Sequence, residues 1–305
     1  MRTLEYVIPS EYDGKKVLYF LKGKAGLSSR MIRSLKLVEN GFLLNGEHTR
    51  TIEILHEGDM LTVNIPEDEM DEGLTEYDGA DFGDLEILYE DDDIIAVNKP
   101  PMLAVHPTHN HQGDTLANLI AGYLQSKGKK AKFRAVGRLD KGTSGIVICA
   151  LNAFAAYRLQ GNIEKTYYAL TEGVYEGEGS IDAPIYRPDP IKSVRTVDER
   201  GDFALTHYTA LGSGTLPDGT EASFLKINIE TGRTHQIRVH FAHLGTPLIG
   251  DTMYGKKRDD ICHQALHCGH AELLQPFTNC KIILDAPLPQ DITEIICNIY
   301  KYEEN

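Results

Sequence analysis

The amino-acid sequence predicts an α+β protein built in two folded parts. Three observations lead there. Short runs of strand character recur along the chain between a few helical patterns. Residues 67–84 interrupt them with a stretch too acidic to pack. Further on, Ile146-Val147-Ile148-Cys149-Ala150 is an unbroken apolar run, rich in β-branched residues and preceded by Gly145, which reads as a buried strand. A chain of 305 residues has room for one large domain, a small one and a sizeable core.

The net charge of −14 is unevenly spread. Glu67 to Asp93 holds fourteen acidic residues and no Lys or Arg, so that segment alone accounts for it. The regions on either side are close to neutral, and local patches decide what such a surface attracts. No apolar run reaches membrane-spanning length and no leader opens the chain, so a soluble cytoplasmic protein is expected. Five scattered cysteines suit a reducing compartment better than a disulfide framework.

Residues 1–66 read as a small α+β module. Lys15, Lys16, Lys22, Lys24, Arg30, Arg33 and Lys36 fall between Gly14 and Val38 with no acidic residue among them. Ser28 or Ser29 caps a short helix with apolar positions Ile32, Leu35 and Val38, which puts Arg33 and Lys36 on one exposed face. A solvated face normally mixes signs, so this stripe points to an anionic partner. The strand after Gly41 ends in Asn45-Gly46, a strong hairpin turn, and Met60–Ile65 is the closing strand. Residues 67–84 follow as an extended acidic linker.

From Leu85 a second domain, residues 85–305, begins with strands over Leu85–Tyr89 and Ile94–Val97. His106, His109 and His111 lie in a polar loop with no Cys or acidic cluster to complete a metal site. Asp114 caps a helix over Thr115–Ser126. Lys127, Lys129, Lys130, Lys132 and Arg134 then crowd the approach to Arg138-Leu139-Asp140. Cations suit a helix C-terminus, but so many in one stretch point to a phosphate-facing loop. Asp140 feeds the 146–150 strand through a glycine-bearing turn, and on spacing alone it reads as a turn-capping residue. Glu164–Leu170 is a strand, so Tyr167 and Tyr168 face opposite ways. Phe224–Ile229 is another. It leads to a helix capped by Thr234, with Ile237, Phe241 and Leu244 as its buried stripe and Gly245 as its stop. Arg233 precedes that helix and needs an anionic partner from elsewhere.

Two resemblances follow from these residues. Leu18, Leu21, Gly26, Ser28-Ser29-Arg30, Ile32, the Gly41–Gly46 segment and Gly58-Asp59 resemble the alpha-L RNA-binding motif of ribosomal small-subunit proteins. That likeness implies RNA backbone held by a basic helix pair, through Arg30, Arg33 and Lys36. From about Leu85 to Gln290 the chain resembles RluA-type pseudouridine synthases. The segments are Ile95–Pro100, Arg138–Gly145, Lys165–Tyr167, Thr231–His240, Gly250–Gly255 and Gln264–His267, in the family's order. Gly137 departs from it, since many relatives carry histidine there.

The resemblance implies a catalytic domain on a mixed, largely antiparallel sheet. It implies Asp140 as the essential carboxylate, Tyr167 beneath the uracil and in removal of the carbon-five proton, Arg233 as the partner of Asp140, and Arg138 as a probe of the flipped nucleotide. Lys127, Lys129, Lys130, Lys132 and Arg134 would meet the RNA backbone. The reaction breaks the glycosidic bond, turns the base and rejoins it through carbon five, so no cofactor and no metal is required. Asp140 would attack the sugar or take a sugar proton; the sequence leaves both routes open. Cys262-His263 and His267-Cys268 are assigned to packing. The expected partner is ribosomal RNA of the large subunit, with transfer RNA the alternative, and the expected state is a monomer. A non-catalytic RNA-binding protein on the same fold and a hydrolytic nucleosidase are the rival readings.

Overall fold

A computed structural model describes residues 2–66, 83, 85–107, 113–129 and 133–301, with backbone only at 300 and 301. The proposed acidic linker falls almost wholly outside the described residues, as do His109, His111, Lys130 and Lys132.

The first sixty-odd residues make their own sheet and core. Strand β1 (Arg2–Val7) pairs antiparallel with β4 (Met60–Ile65), and β2 (Phe42–Leu44) joins β4 to β3 (Glu47–His48). The β2–β3 turn is Asn45-Gly46, both at positive φ (53° and 85°), the conformation that makes Asn-Gly a hairpin turn. Helices α1 (Val17–Lys22) and α2 (Ser29–Leu35) cover this sheet, and Met31 N donates to the Ser28 side chain, which caps α2. Ile32 and Leu35 are buried, whereas Arg30, Arg33 and Lys36 are exposed. Phe154 of the second region closes the same core, packed on Phe277, and Arg2 pairs with the buried Asp93 at 2.6 Å.

The second region runs β5 (Glu86–Glu90), β6 (Ile94–Lys99), α3 (Leu116–Ser126), β7 (Arg134–Val136), β8 (Ser144–Ala150), α4 (Ala153–Leu159) and β9 (Ile163–Glu172). Then come β10 (Glu178–Asp182), β11 (Ile185–Tyr186), β12 (Thr196–Val197), β13 (Leu205–Thr215), β14 (Glu221–Ile229) and α5 (Gln236–His243). Strands β15 (Leu266–Leu274) and β16 (Lys281–Asp285) and helix α6 (Gln290–Lys301) finish it. One sheet has the order β10-β13-β14-β9-β15-β8-β6-β5, with β7 on β8 and β16 on β15. Among the described residues its pairings are antiparallel except β15 with β8, so the fold is α+β with a mixed, largely antiparallel sheet. All seven residues of β8 are buried, as the 146–150 run predicts. Buried on both faces, such a strand reads as continuous rather than alternating hydrophobicity.

Two helix starts differ from expectation. Thr115 rather than Asp114 caps α3, its N–H donating to Asn118 Oδ1 at 3.2 Å. Helix α5 starts after His235, which sits in the left-handed region at φ 58°, so Thr234 is not its cap. Ile237 and Phe241 are buried as predicted, while Leu244 is exposed just before the Gly245 stop. Among the described residues no helix is long and apolar enough to cross a membrane.

Candidate active site

Asp140 lies in the loop between β7 and β8, and the sheet holds that loop from below. Thr143 N donates to the Asp140 carbonyl at 3.1 Å, and Gln264 Nε2 donates to Thr143 Oγ1 at 2.9 Å. A Cβ at Gly142 would lie 2.3 Å from Gln264 Oε1, and one at Gly145 (φ 105°) only 2.2 Å from the Cys268 carbonyl oxygen. Glycine is therefore what lets β8 approach β15 closely enough to seat the turn. His267 ties the same place together, 2.9 Å from Ser144 Oγ and 3.1 Å from the Ala286 carbonyl. His263 bonds the Gln264 carbonyl and Asp291. Both imidazoles have packing roles, as expected.

Arg238, not Arg233, is the partner of Asp140. Its Nη1 lies 2.9 Å from Asp140 Oδ2, while Nε and Nη2 clamp Asp251 at 2.7 and 2.9 Å. Asp251 is fully buried and also accepts from the backbone N–H groups of Met253 and Tyr254. Burial opposes the guanidinium charge, but the two carboxylates outweigh it and raise the pKa above its ordinary value. Arg233 instead donates to the Phe203 carbonyl at 3.0 Å and stands 3.5 Å from Asp202, half in solvent. The reason is local. The Gln236 side chain folds back to accept from Arg233 N, and the left-handed His235 turns the chain so that residues from 236 onward face inward. The sequence places both arginines in one motif, and nothing in their spacing chooses between them. An arginine beside the buried helix positions, with an aspartate thirteen residues on, was the signal available.

A cavity of about 610 Å³ opens above Asp140, walled by Tyr167, Lys165, Asn228, His235 and Arg238. The Asp140 side chain is 25% exposed, so its carboxylate reaches this space while Arg238 holds it from behind. Tyr167, on β9, is buried at the cavity wall. Burial raises its phenol pKa well above 10, with smaller contributions from Cys268 and Asp140. Tyr168 faces the other way and stacks on Phe224 with ring centroids 5.9 Å apart, the packing role expected of it.

Lys99 lies under the site and was not foreseen. It is fully buried, and Nζ donates to the carbonyls of Pro100 and Leu103 at 2.9 Å and of Lys141 at 3.1 Å. Burial pushes its pKa down to about 7, while the Asp140 charge pulls it up. Three accepting carbonyls match the three N–H donors of an ammonium, which favours the charged form. The residue thus pins the Asp140 turn to the end of β6. Lys99→Met removes all three donors at once. The carbonyls belong to half-buried or exposed residues that water can partly satisfy, so we expect about 1–3 kcal/mol lost from the unfolding free energy in urea, with the denaturant slope unchanged.

Residues 93–243 match the family described as RNA pseudouridylate synthase. An uncharacterised RNA pseudouridine synthase of Bacillus subtilis (strain 168), YjbO, is 37% identical over 281 residues, covering 90% of this chain and 96% of the relative. This chain belongs to the RNA pseudouridine synthase family. It is an enzyme that isomerises uridine to pseudouridine in RNA, of the RluA type. Ribosomal large subunit pseudouridine synthase D of Pseudomonas aeruginosa is 32% identical, the match covering 81% of this chain and 80% of that one. Human RNA pseudouridylate synthase domain containing 1 superposes with a TM-score of 0.57 at 26% identity, over 69% of this chain and 86% of that structure.

Around the mouth of the synthase the cations divide. Arg138 is exposed on the cavity rim. Lys127 and Lys129 do not stand free for phosphate: both are turned onto Glu90, at 2.6 and 3.0 Å, and Lys127 also lies over the Tyr123 ring. Glu90 is only 15% exposed, and the two ammonium groups offset the burial of its carboxylate, holding its pKa at about 2. The end of α3 therefore uses these lysines structurally. Arg134 is half-buried on β7.

Proposed function

We propose that this synthase modifies uridines of large-subunit ribosomal RNA, with Asp140 as the essential carboxylate. We further propose that residues 1–66 hold RNA backbone through Arg30, Arg33 and Lys36 while residues 85–305 carry the reaction. The observation that carries the reading is the Asp140 carboxylate: Oδ2 is bonded by Arg238, and the side chain lines a cavity of about 610 Å³ walled by Tyr167, roomy enough for a flipped nucleotide. The name of the Pseudomonas relative supports the choice of RNA.

Each side chain then has a task. The N1–C1′ bond breaks with its electron pair on uracil, the base turns in the cavity, C5 bonds to C1′, and the C5 proton is replaced by one at N1. Asp140 Oδ1 acts on the ribose, either by bonding to C1′ or by taking the proton from C2′. Arg238, bonded to Oδ2, holds the carboxylate in position so that Oδ1 is the oxygen that reacts. Tyr167 lies against the uracil. Because burial keeps its phenol protonated, it passes the C5 proton on only by giving up its own hydrogen. Arg138 fills the place the target base leaves, offsetting the few kcal/mol of unstacking. The enzyme is expected to act as a monomer.

The test is tritium release from transcripts carrying [5-³H]uridine, with carbodiimide mapping of the modified position. Release is expected from large-subunit ribosomal RNA and not from transfer RNA. Release from transfer RNA alone would overturn the choice of substrate.

A further inference from the structure

Among the described residues lining the cavity, His235 is the one non-glycine at positive φ. That backbone aims its ring at Asp140. Nδ1 lies 2.9 Å from the Tyr254 hydroxyl, and that hydroxyl already accepts the Arg195 backbone N–H at 2.8 Å. With that bond on its oxygen, Tyr254 is best placed to donate its hydrogen to Nδ1, and we assign the tautomer in which Nε2 carries the ring proton. Nε2 lies 3.9 Å from Asp140 Oδ1, too far for a hydrogen bond, and Oδ2 is already taken by Arg238. A donor and a charged acceptor thus face each other across a gap on the cavity wall, with neither satisfied by the other.

The gap has a chemical complement. An oxygen within hydrogen-bond reach of both atoms subtends an angle of roughly 90° between them, close to what a hydroxyl tolerates. It must accept from Nε2–H and donate to a carboxylate. Water can do both; among the groups of an RNA nucleotide, uracil carbonyls and phosphate oxygens only accept and uracil N3–H only donates. The hydroxyl nearest the reacting C1′ is the ribose 2′-OH.

We propose that His235 Nε2–H and Asp140 Oδ1 together hold the 2′-hydroxyl of the target uridine, making His235 a substrate-contacting residue that distinguishes ribose from deoxyribose at that nucleotide. The inference rests on the reading that Asp140 acts on the ribose. An Oδ1 bonded to the 2′-hydroxyl lies on the face of the sugar opposite the base, the side from which it would bond C1′. Desolvation lowers the His235 pKa, with Arg238 and Arg195 in the same direction and Asp140 opposed, so the ring stays neutral and donates through one nitrogen. Contacts to a sugar hydroxyl beside the reacting carbon strengthen as the glycosidic bond breaks, so the effect falls on rate more than on binding.

Single-turnover conversion is measured by carbodiimide mapping on large-subunit ribosomal RNA transcripts made with uridine or with 2′-fluorouridine, and RNA affinity by filter binding. His235→Phe keeps the ring but lacks the N–H, and is expected to slow conversion roughly 10²-fold, the usual effect of removing one positioned donor, with RNA affinity changed less than about threefold. Fluorine slows both enzymes, because it withdraws electrons from C1′ and cannot donate to Asp140, but it is expected to slow the wild type about tenfold more than His235→Phe, which has already lost the Nε2–H contact. His235→Gln, whose amide nitrogen reaches about as far as Nε2 and keeps an N–H there, recovers part of the loss. Losses that multiply, or wild-type speed in His235→Phe, overturn the proposal. If His235→Phe does not fold, the 2′-fluoro comparison between the wild type and His235→Gln still decides it. A wild type that leaves ribosomal RNA unmodified overturns the substrate assignment instead, and the same comparison is then run on total-tRNA transcripts.

Discussion

Asp140→Asn is expected to bind RNA as the wild type does and to release tritium at a rate lower by on the order of 10⁴, the scale seen when a buried catalytic carboxylate becomes an amide. The substitution keeps shape and keeps an oxygen to accept from Arg238 Nη1, now 2.9 Å from Oδ2. It removes both things the reaction asks for: an anionic oxygen to bond C1′ and a base to take the C2′ proton. Stability should change little, because Arg238 keeps its two bonds to Asp251 and the Asp140 side chain is partly in solvent. The loss of one charge-assisted bond accounts for about 1 kcal/mol, seen as a few degrees in the thermal midpoint. The comparison therefore reads chemistry apart from folding. Residual tritium release above about one part in a hundred of wild type, from a folded variant, would rule out an essential carboxylate.

What the sequence revealed and what it hid have separate physical causes. Strand β8 was legible because burial on both faces leaves a continuous apolar run. The Asn45-Gly46 hairpin and the Ser28 cap were legible because each is a local solution to a backbone need. Strand β1 was not assigned: its alternate residues Leu4 and Tyr6 are only half-buried, so the period-two signal is weak. In the site, Asp140 and Tyr167 stand together at one cavity as their motifs implied. The partner arginine was misplaced because the choice depends on a left-handed residue, His235, that propensity does not foresee in a histidine. The pairing of Lys127 and Lys129 with Glu90 was hidden for another reason. Their acceptor, Glu90, lies thirty-seven and thirty-nine residues away, on a strand of the second domain, and no local pattern joins the two.

Arg238→Met is expected to be the most damaging single change to the fold of the site. One guanidinium serves two carboxylates, and Asp251, fully buried, has no other cation beside it among the described residues. Breaking a buried pair by removing one partner costs ~3–5 kcal/mol, because the remaining charge stays desolvated. Activity is lost as well, since Asp140 loses the contact that aims it. Arg238→Lys does not restore the wild type: an ammonium is a point charge and cannot span Asp140 and Asp251 with a planar fork. The double variant Arg238→Met with Asp251→Asn separates the two effects. Its buried amide keeps the acceptor for Met253 N and Tyr254 N while the orphaned charge is gone, so urea unfolding should recover at least half of the lost stability. Tritium release should not recover, because Asp140 still has no cation behind it. A double variant that regains activity with its stability would mean that Arg238 acts on the reaction only through the fold.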